Sequence, residues 1–210
     1  MRVAIKSYII IIYIRVAVND IFTSMYSMVP GVSLKSLVGL DLSLTSTGVS
    51  IGGETFVIST KSKEAERLSF ISTTILDLCL ERKISCAIIE SYAFASRVSR
   101  AHSIGELGGC VRMKLWENDI KYVDVPPTCR AKFATGKGNS SKNDVMSAIS
   151  AKTGIVFAGS GSDDMCDAWI LEQMGLAHLG LSQYTWPEVN MSTLQTIDWS
   201  PLEGINELPQ

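Results

Sequence analysis

Apolar residues recur along the chain with two periods, and the periods mark its elements. Leu37 to Leu42 (LVGLDL) is a short apolar run that predicts a buried strand, with one acid, Asp41, inside it. Thr45-Ser46-Thr47-Gly48 is turn-rich, and Val49–Ile51 and Thr55–Ser59 predict two more strands joined through Gly52-Gly53, a hairpin signal. Between Lys63 and Lys83, the residues Leu68, Ile71, Ile75, Leu78 and Cys79 fall at helical spacing. Cys86–Glu90 (CAIIE) predicts a buried strand that ends in a carboxylate. Ser103–Glu117 predicts a helix whose Gly105, Gly108 and Gly109 cost helix propensity and imply close packing against a neighbour. Ile120–Val125 predicts another strand, stopped by Pro126-Pro127. A polar basic loop, Thr135–Ser140, leads to a helix over Ser141–Lys152, and a Gly/Ser loop, Ala158–Ser162, leads to a last helix over Asp163–Leu179. Beyond Leu181, Pro187, Pro201, Pro209 and weak periodicity predict an extended tail.

Strands in hairpins, followed by alternating helices and strands, predict an α/β fold: a mixed five-stranded sheet flanked by helices. The domain spans residues 37–180, with an extension over 1–36 and a tail over 181–210. Within the extension, Tyr8–Ile14 is nearly pure isoleucine and tyrosine, but Arg15 interrupts it too soon for a membrane span. No small-residue cleavage site follows. An extra strand and a start codon assigned upstream of Met25 or Met28 both account for it, and the second is preferred.

Composition then narrows the class. With 46% hydrophobic and 19% charged residues over 210 positions, the chain is globular rather than disordered. Five scattered cysteines with no Cys-x-x-Cys pair argue for reduced thiols in a cytoplasmic protein rather than a disulfide scaffold. The formal charge of −2 argues against a generic nucleic-acid binder. That sum hides a segregation. Ser91–Lys142 carries nine basic and four acidic residues, whereas Thr153–Gln210 carries eight acids and no Lys or Arg. Arg97, Arg100, Arg130, Lys132, Lys137 and Lys142 can track phosphates, and Gly136 and Gly138 let backbone N–H groups approach them. A solvated loop is the ordinary alternative. Tyr92 and Phe94 can stack on unpaired bases, or one of them can fill the core.

The acids carry the chemistry. Asp41 lies within an apolar strand, where an ionised carboxylate is costly unless paired or bound to a cation. Glu90 ends a strand, and Asp164 and Asp167 share one face of the last helix's first turn. Asp163, offset by one residue, has an ordinary helix-dipole role available. Were Asp41, Glu90, Asp164 and Asp167 to converge, their repulsion would demand a divalent cation, and hard oxygen ligands select Mg²⁺ or Mn²⁺. Two such ions are what two-metal phosphodiester hydrolysis uses. His102 and His178 are read as solvated or capping residues, outside this cluster.

These residues resemble a family. Gly39-Leu40-Asp41-Leu42-Ser43 with Thr47-Gly48-Val49, then Ile88-Ile89-Glu90, then Pro127-x-x-x-x-Lys132-x-x-x-Gly136-x-Gly138-x-x-x-Lys142, then Asp164-x-x-Asp167-Ala168, follow the order of motifs in RuvC-type Holliday junction resolvases. The match covers residues 37–179 and is similar to a phage-type relative. The resemblance implies a ribonuclease-H-like fold, a homodimer and Mg²⁺-dependent symmetric nicking of four-way DNA junctions, with two ions per site and Mn²⁺ able to substitute. It implies metal ligation by Asp41, Glu90, Asp164 and Asp167, with Lys142 at the scissile phosphate. The family's aromatic wedge would fall on Ala93, between Tyr92 and Phe94. No membrane is implied, and the location is the cytoplasm, that of the host if the chain is phage-encoded.

Two other classes share part of the pattern. Sugar-kinase or actin-like ATPases also begin with Gly-x-Asp in a strand before a hairpin, but they duplicate the fold over far more than 210 residues. A catalytically inactive module that recognises branched DNA by shape is the other.

Overall fold

The computed structural model describes residues 37–91 and 98–203. The N-terminal extension with its two expectations lies outside the described residues, as do Tyr92, Phe94, Arg97 and the side chains of Arg100 and His102.

The strands are β1 (Leu37–Asp41), β2 (Thr47–Ile51), β3 (Glu54–Ile58), β4 (Cys86–Glu90) and β5 (Lys121–Val125). The helices are α1 (Glu64–Glu81), α2 (Val98–Glu117), α3 (Pro127–Thr135), α4 (Lys142–Thr153), α5 (Ser162–His178) and the single turn α6 (Glu188–Met191). The strands form one sheet in the order β3-β2-β1-β4-β5. The β1–β2 and β2–β3 pairs are antiparallel, and β4 runs parallel to both β1 and β5. This is the mixed five-stranded sheet the pattern predicts.

Strand parity divides the core into two layers. Val38, Leu40, Ala87 and Ile89 face α1 and α2, packing with Ile71, Ile75, Leu107, Val111 and Leu115. Leu37, Cys86 and Ile88 face the opposite way, against Met165, Trp169 and Met174 of α5 and Phe133 of α3. By the same alternation, Asp41 and Glu90 lie on the α5 side.

Two glycines set how close α5 comes. A Cβ on Gly39 would lie 2.0 Å from the Ala168 carbonyl oxygen, and one on Gly48 would lie 2.0 Å from that of Asp164. Only residues without a side chain allow the helix backbone to rest on β1 and β2. At the β2–β3 turn Gly52 and Gly53 both have positive φ, 60° and 81°, as a two-residue hairpin requires.

Two features differ from the sequence reading. Pro126-Pro127 does end β5, but Pro127 also opens α3, because proline is well suited to the first helical position, where its missing N–H is no loss. The segment after Leu181, expected to be extended, folds onto the domain. Trp186, Leu194, Ile197, Trp199 and Leu202 are all buried. Its prolines and short 3₁₀ turns hide the periodicity that marks longer helices. His178, expected to be solvated or capping, is exposed, and its ring also stacks on Trp199 with centroids 4.5 Å apart; partial burial lowers its pKa. All five cysteines are free; burial pushes the Cys79, Cys86 and Cys166 thiols up to about 12. Among the described residues, no helix is long and apolar enough to cross a membrane.

Candidate active site

The parallel register sets Leu40 of β1 beside Ile89 of β4. The next residue on each strand is an acid, so Asp41 and Glu90 emerge together at the C-terminal ends of adjacent parallel strands. In open α/β sheets that edge is where crevices form. The loop after β1 is closed by Thr47, which is fully buried. Its hydroxyl donates to the Ser43 carbonyl at 2.6 Å and accepts from the Ser43 N–H at 3.1 Å. That loop returns the chain to Gly48, on which the first turn of α5 rests, and this contact carries Asp164 and Asp167 to the same edge.

The four acids therefore form one electrostatic unit. Asp41 has its pKa raised well above the usual carboxylate range, first by burial, then by the charges of Glu90 and Asp167. Arg130 opposes that rise and Asp164 adds to it. Asp167 is pushed up to about 7 by burial, with Arg130 opposing and Glu90 adding. Asp164 is raised by burial against the Ser46 hydroxyl, which favours its charged form.

Arg130 departs from expectation. Read as a DNA-contacting cation, it instead projects from α3 into the acid cluster. Its Nε donates to Glu90 Oε1 at 2.6 Å and its Nη1 donates to Asp167 Oδ1. All three side chains are largely buried, at 12%, 16% and 6% exposed. The carboxylates keep the guanidinium's pKa above its usual value despite its burial. Sequence distance conceals this pairing, since Arg130 lies 40 residues from Glu90 and 37 from Asp167.

Lys142 stands at the start of α4, its Nζ 2.5 Å from Asp163 Oδ2. That hydrogen bond raises the Lys142 pKa and lowers that of Asp163, so both are charged at neutral pH. Asp163 is thus tied to Lys142, and the charges of this pair act on Asp164 and Asp167. The loop between α3 and α4 is braced: the Thr135 hydroxyl bonds Ser140 Oγ at 2.7 Å and accepts from the Lys137 N–H at 3.0 Å. Ser141 and Asp144 form a reciprocal capping box. Lys137 is exposed on this loop, and Lys132 is half-buried on α3.

Sequence reasoning misses Glu172. It is completely buried on α5 and accepts from Ser50 Oγ (2.5 Å), the Gly52 N–H (2.5 Å) and the Gly53 N–H (3.1 Å). It ties the β2–β3 turn to the helix that carries two of the acids. A signal does exist: an acid inside the apolar run Ala168–Ala177, the same anomaly that singles out Asp41.

The donor set fits a hard divalent cation: four carboxylates, three of them with raised pKa, a repulsion that such an ion would relieve. Among the described residues, no three acid, His or Cys side chains are gathered tightly enough to hold an ion as they stand. Arg130 pairs with two of the four.

A five-stranded mixed sheet in which β2 alone runs antiparallel to the other strands, with an acid on its central strand β1 and a long acidic helix packed on it, defines a ribonuclease-H-like fold. The structure matches that of Thermus thermophilus RuvC in complex with a Holliday junction substrate at a TM-score of 0.56 and 18% identity, covering 71% of this chain and 98% of that one. A second Thermus thermophilus RuvC structure gives 0.54 and 18% over 71% and 99%. In sequence the chain resembles the RuvC crossover junction endodeoxyribonucleases. It is 30% identical over 105 residues to that of Brachyspira hyodysenteriae, covering 49% of this chain and 62% of the relative, so the match spans less than two thirds of that protein. It is 29% identical over 122 residues to that of Prochlorococcus marinus, covering 57% and 78%. No family model matches the chain.

Proposed function

We propose that this chain is a divalent-metal-dependent, structure-selective DNA endonuclease that resolves four-way junctions. The observation that carries the reading is the convergence of Asp41, Glu90, Asp164 and Asp167 at one edge of the sheet. Mg²⁺, or Mn²⁺ in its place, as a pair of ions held by these acids, would polarise the scissile phosphate and acidify an attacking water, so no covalent enzyme residue is needed. Asp41 projects from β1, the central strand of the sheet, and feels the charge of each of the other three acids. Lys142 places a fixed positive charge beside Asp163 at the rim, where it can stabilise charge on a phosphate. Lys132, Lys137 and the backbone of the braced loop extend the contact along the strand. Arg97, Arg100, Tyr92 and Phe94 follow Glu90 closely in sequence and supply further phosphate and base contacts at the branch.

A homodimer would place two such sites on opposed strands of one junction. The α2 face supports it: a Cβ at Gly109 would meet nothing within 4 Å, and Met113 and Trp116, on the same helical face, are 53% and 75% exposed. The glycines of this helix, expected to pack closely against a neighbour and to be a candidate surface for dimerisation, leave at least position 109 open to a partner. The cytoplasm is the compartment this activity would serve.

The test is incubation with end-labelled four-way, flap and linear DNA in Mg²⁺. Paired symmetric nicks at the four-way junction are expected. Asp41→Asn should abolish nicking and leave junction binding intact; undiminished nicking by that variant would refute the assignment.

A further inference from the structure

Arg130 is the only cation that hydrogen-bonds into the acid cluster among the described residues, and it does so with two arms on two different elements, Glu90 of β4 and Asp167 of α5. Its aliphatic stem is buried with α3, whose Ala131, Phe133 and Ala134 sit in the core and whose C-terminal end is held by the Asn190 side chain donating to the Phe133 carbonyl at 2.6 Å. The guanidinium is therefore a built feature of the site and not a wandering surface group. A planar fork matched to two carboxylates is the arrangement arginine forms best.

Resting on the metal-dependent reading above, we infer that Arg130 is a built-in counter-ion that competes with the divalent cation for Glu90 and Asp167. The oxygens it occupies belong to two of the four acids a metal would need, and a positive charge among them repels a second cation. In the metal-free protein the guanidinium holds together carboxylates that would otherwise repel one another in a buried site. A metal drawing on these carboxylates weakens or displaces the pairings, so Arg130 sets the metal concentration at which the site assembles. It is a positioning residue: it acts on the metal ligands and not on the scissile bond.

The experiment compares the full-length wild type, Arg130→Gln, Arg130→Lys and Asp41→Asn, without DNA. Mn²⁺ binding is read from the electron paramagnetic resonance signal of the free ion, and unfolding is followed by circular dichroism in chelator and in saturating Mn²⁺. Arg130→Gln is expected to bind Mn²⁺ at least ~10-fold more tightly, to melt below wild type in chelator, and to gain more from Mn²⁺ than wild type does. Arg130→Lys, which keeps the charge but cannot span both acids, should fall between the two. Equal or weaker Mn²⁺ affinity in a cooperatively folded Arg130→Gln overturns the inference. If that variant does not fold, equal affinity in Arg130→Lys and wild type does the same. Binding that is lost in Asp41→Asn but unchanged in the Arg130 variants sinks this inference alone. No Mn²⁺ binding by folded wild type and folded Arg130→Gln sinks the metal-dependent reading, and the inference with it.

Discussion

Gly48→Ala tests the contact on which the site's assembly depends. The added Cβ would lie 2.0 Å from the Asp164 carbonyl oxygen and 2.5 Å from its carbonyl carbon. Side-chain carbons do not approach backbone closer than 3.0 Å, so the two elements must part by about 1 Å. β2 cannot retreat, because it is hydrogen-bonded on both edges, to β1 and to β3. The first turn of α5 must therefore lift, taking Asp164 and Asp167 away from Asp41. A gap of that size forfeits a quarter to a half of each dispersion contact across it. Overpacking of this kind costs about 1–3 kcal/mol, and backbone against backbone belongs at the upper end. In a domain of this size that is a fall in melting temperature of roughly 5–10 °C. A displacement of ~1 Å at a catalytic constellation costs about 100-fold in rate. Thermal unfolding and single-turnover junction nicking are the assays. A variant that melts with wild type and nicks within twofold of it would show that α5 does not rest on Gly48 as described.

Three further outcomes are expected. Glu172→Gln should flatten the pH dependence of stability. A buried acid whose folded pKa is raised to about 7 binds its proton more tightly folded than unfolded, so its contribution is fully present below about pH 4 and is lost as pH rises through 7. Melting temperatures from pH 4.5 to 7.5 should fall more steeply in wild type than in the variant, by up to about 3 kcal/mol in stability, and parallel curves would contradict it. Trp199→Ala removes the stack on His178 and the Nε1–H bond to the Leu194 carbonyl (2.8 Å), and should cost about 3–5 kcal/mol in urea unfolding. A loss below about 1 kcal/mol would mean that the C-terminal segment adds little to the fold. Trp116→Glu places a charge on the exposed α2 face; if the proposed homodimer forms through that face, the variant should sediment as a monomer where wild type sediments as a dimer, with no fall in melting temperature, and a variant that still sediments as a dimer would exclude that face.

Much of this protein is legible in one dimension. The apolar run CAIIE gives strand β4 its observed bounds, because a continuous apolar run between polar segments has few alternatives. Parity along β1 and β4 carries Asp41 and Glu90 to the same face, and helical spacing pairs Asp164 with Asp167, so periodicity alone singles out the acids. Helix α3 is hidden because proline reads as a stop even where it starts a helix. The C-terminal segment is hidden because its buried residues, from Trp186 to Leu202, are spaced by short turns with no fixed period.

What tertiary structure alone decides is which charges meet. Local pattern governs which residues face inward, since periods of 2 and 3.6 are properties of the backbone. Partnership between groups 37, 40 or 122 residues apart depends on how the elements dock. Arg130 has the sequence setting of a surface cation and is the counter-ion of the acid cluster; Glu172 stands out in sequence only as an acid in an apolar run, and docking makes it the clamp on the β2–β3 turn. Burial makes each such pairing strong, and burial is a property of the assembled layers, not of any segment of the chain.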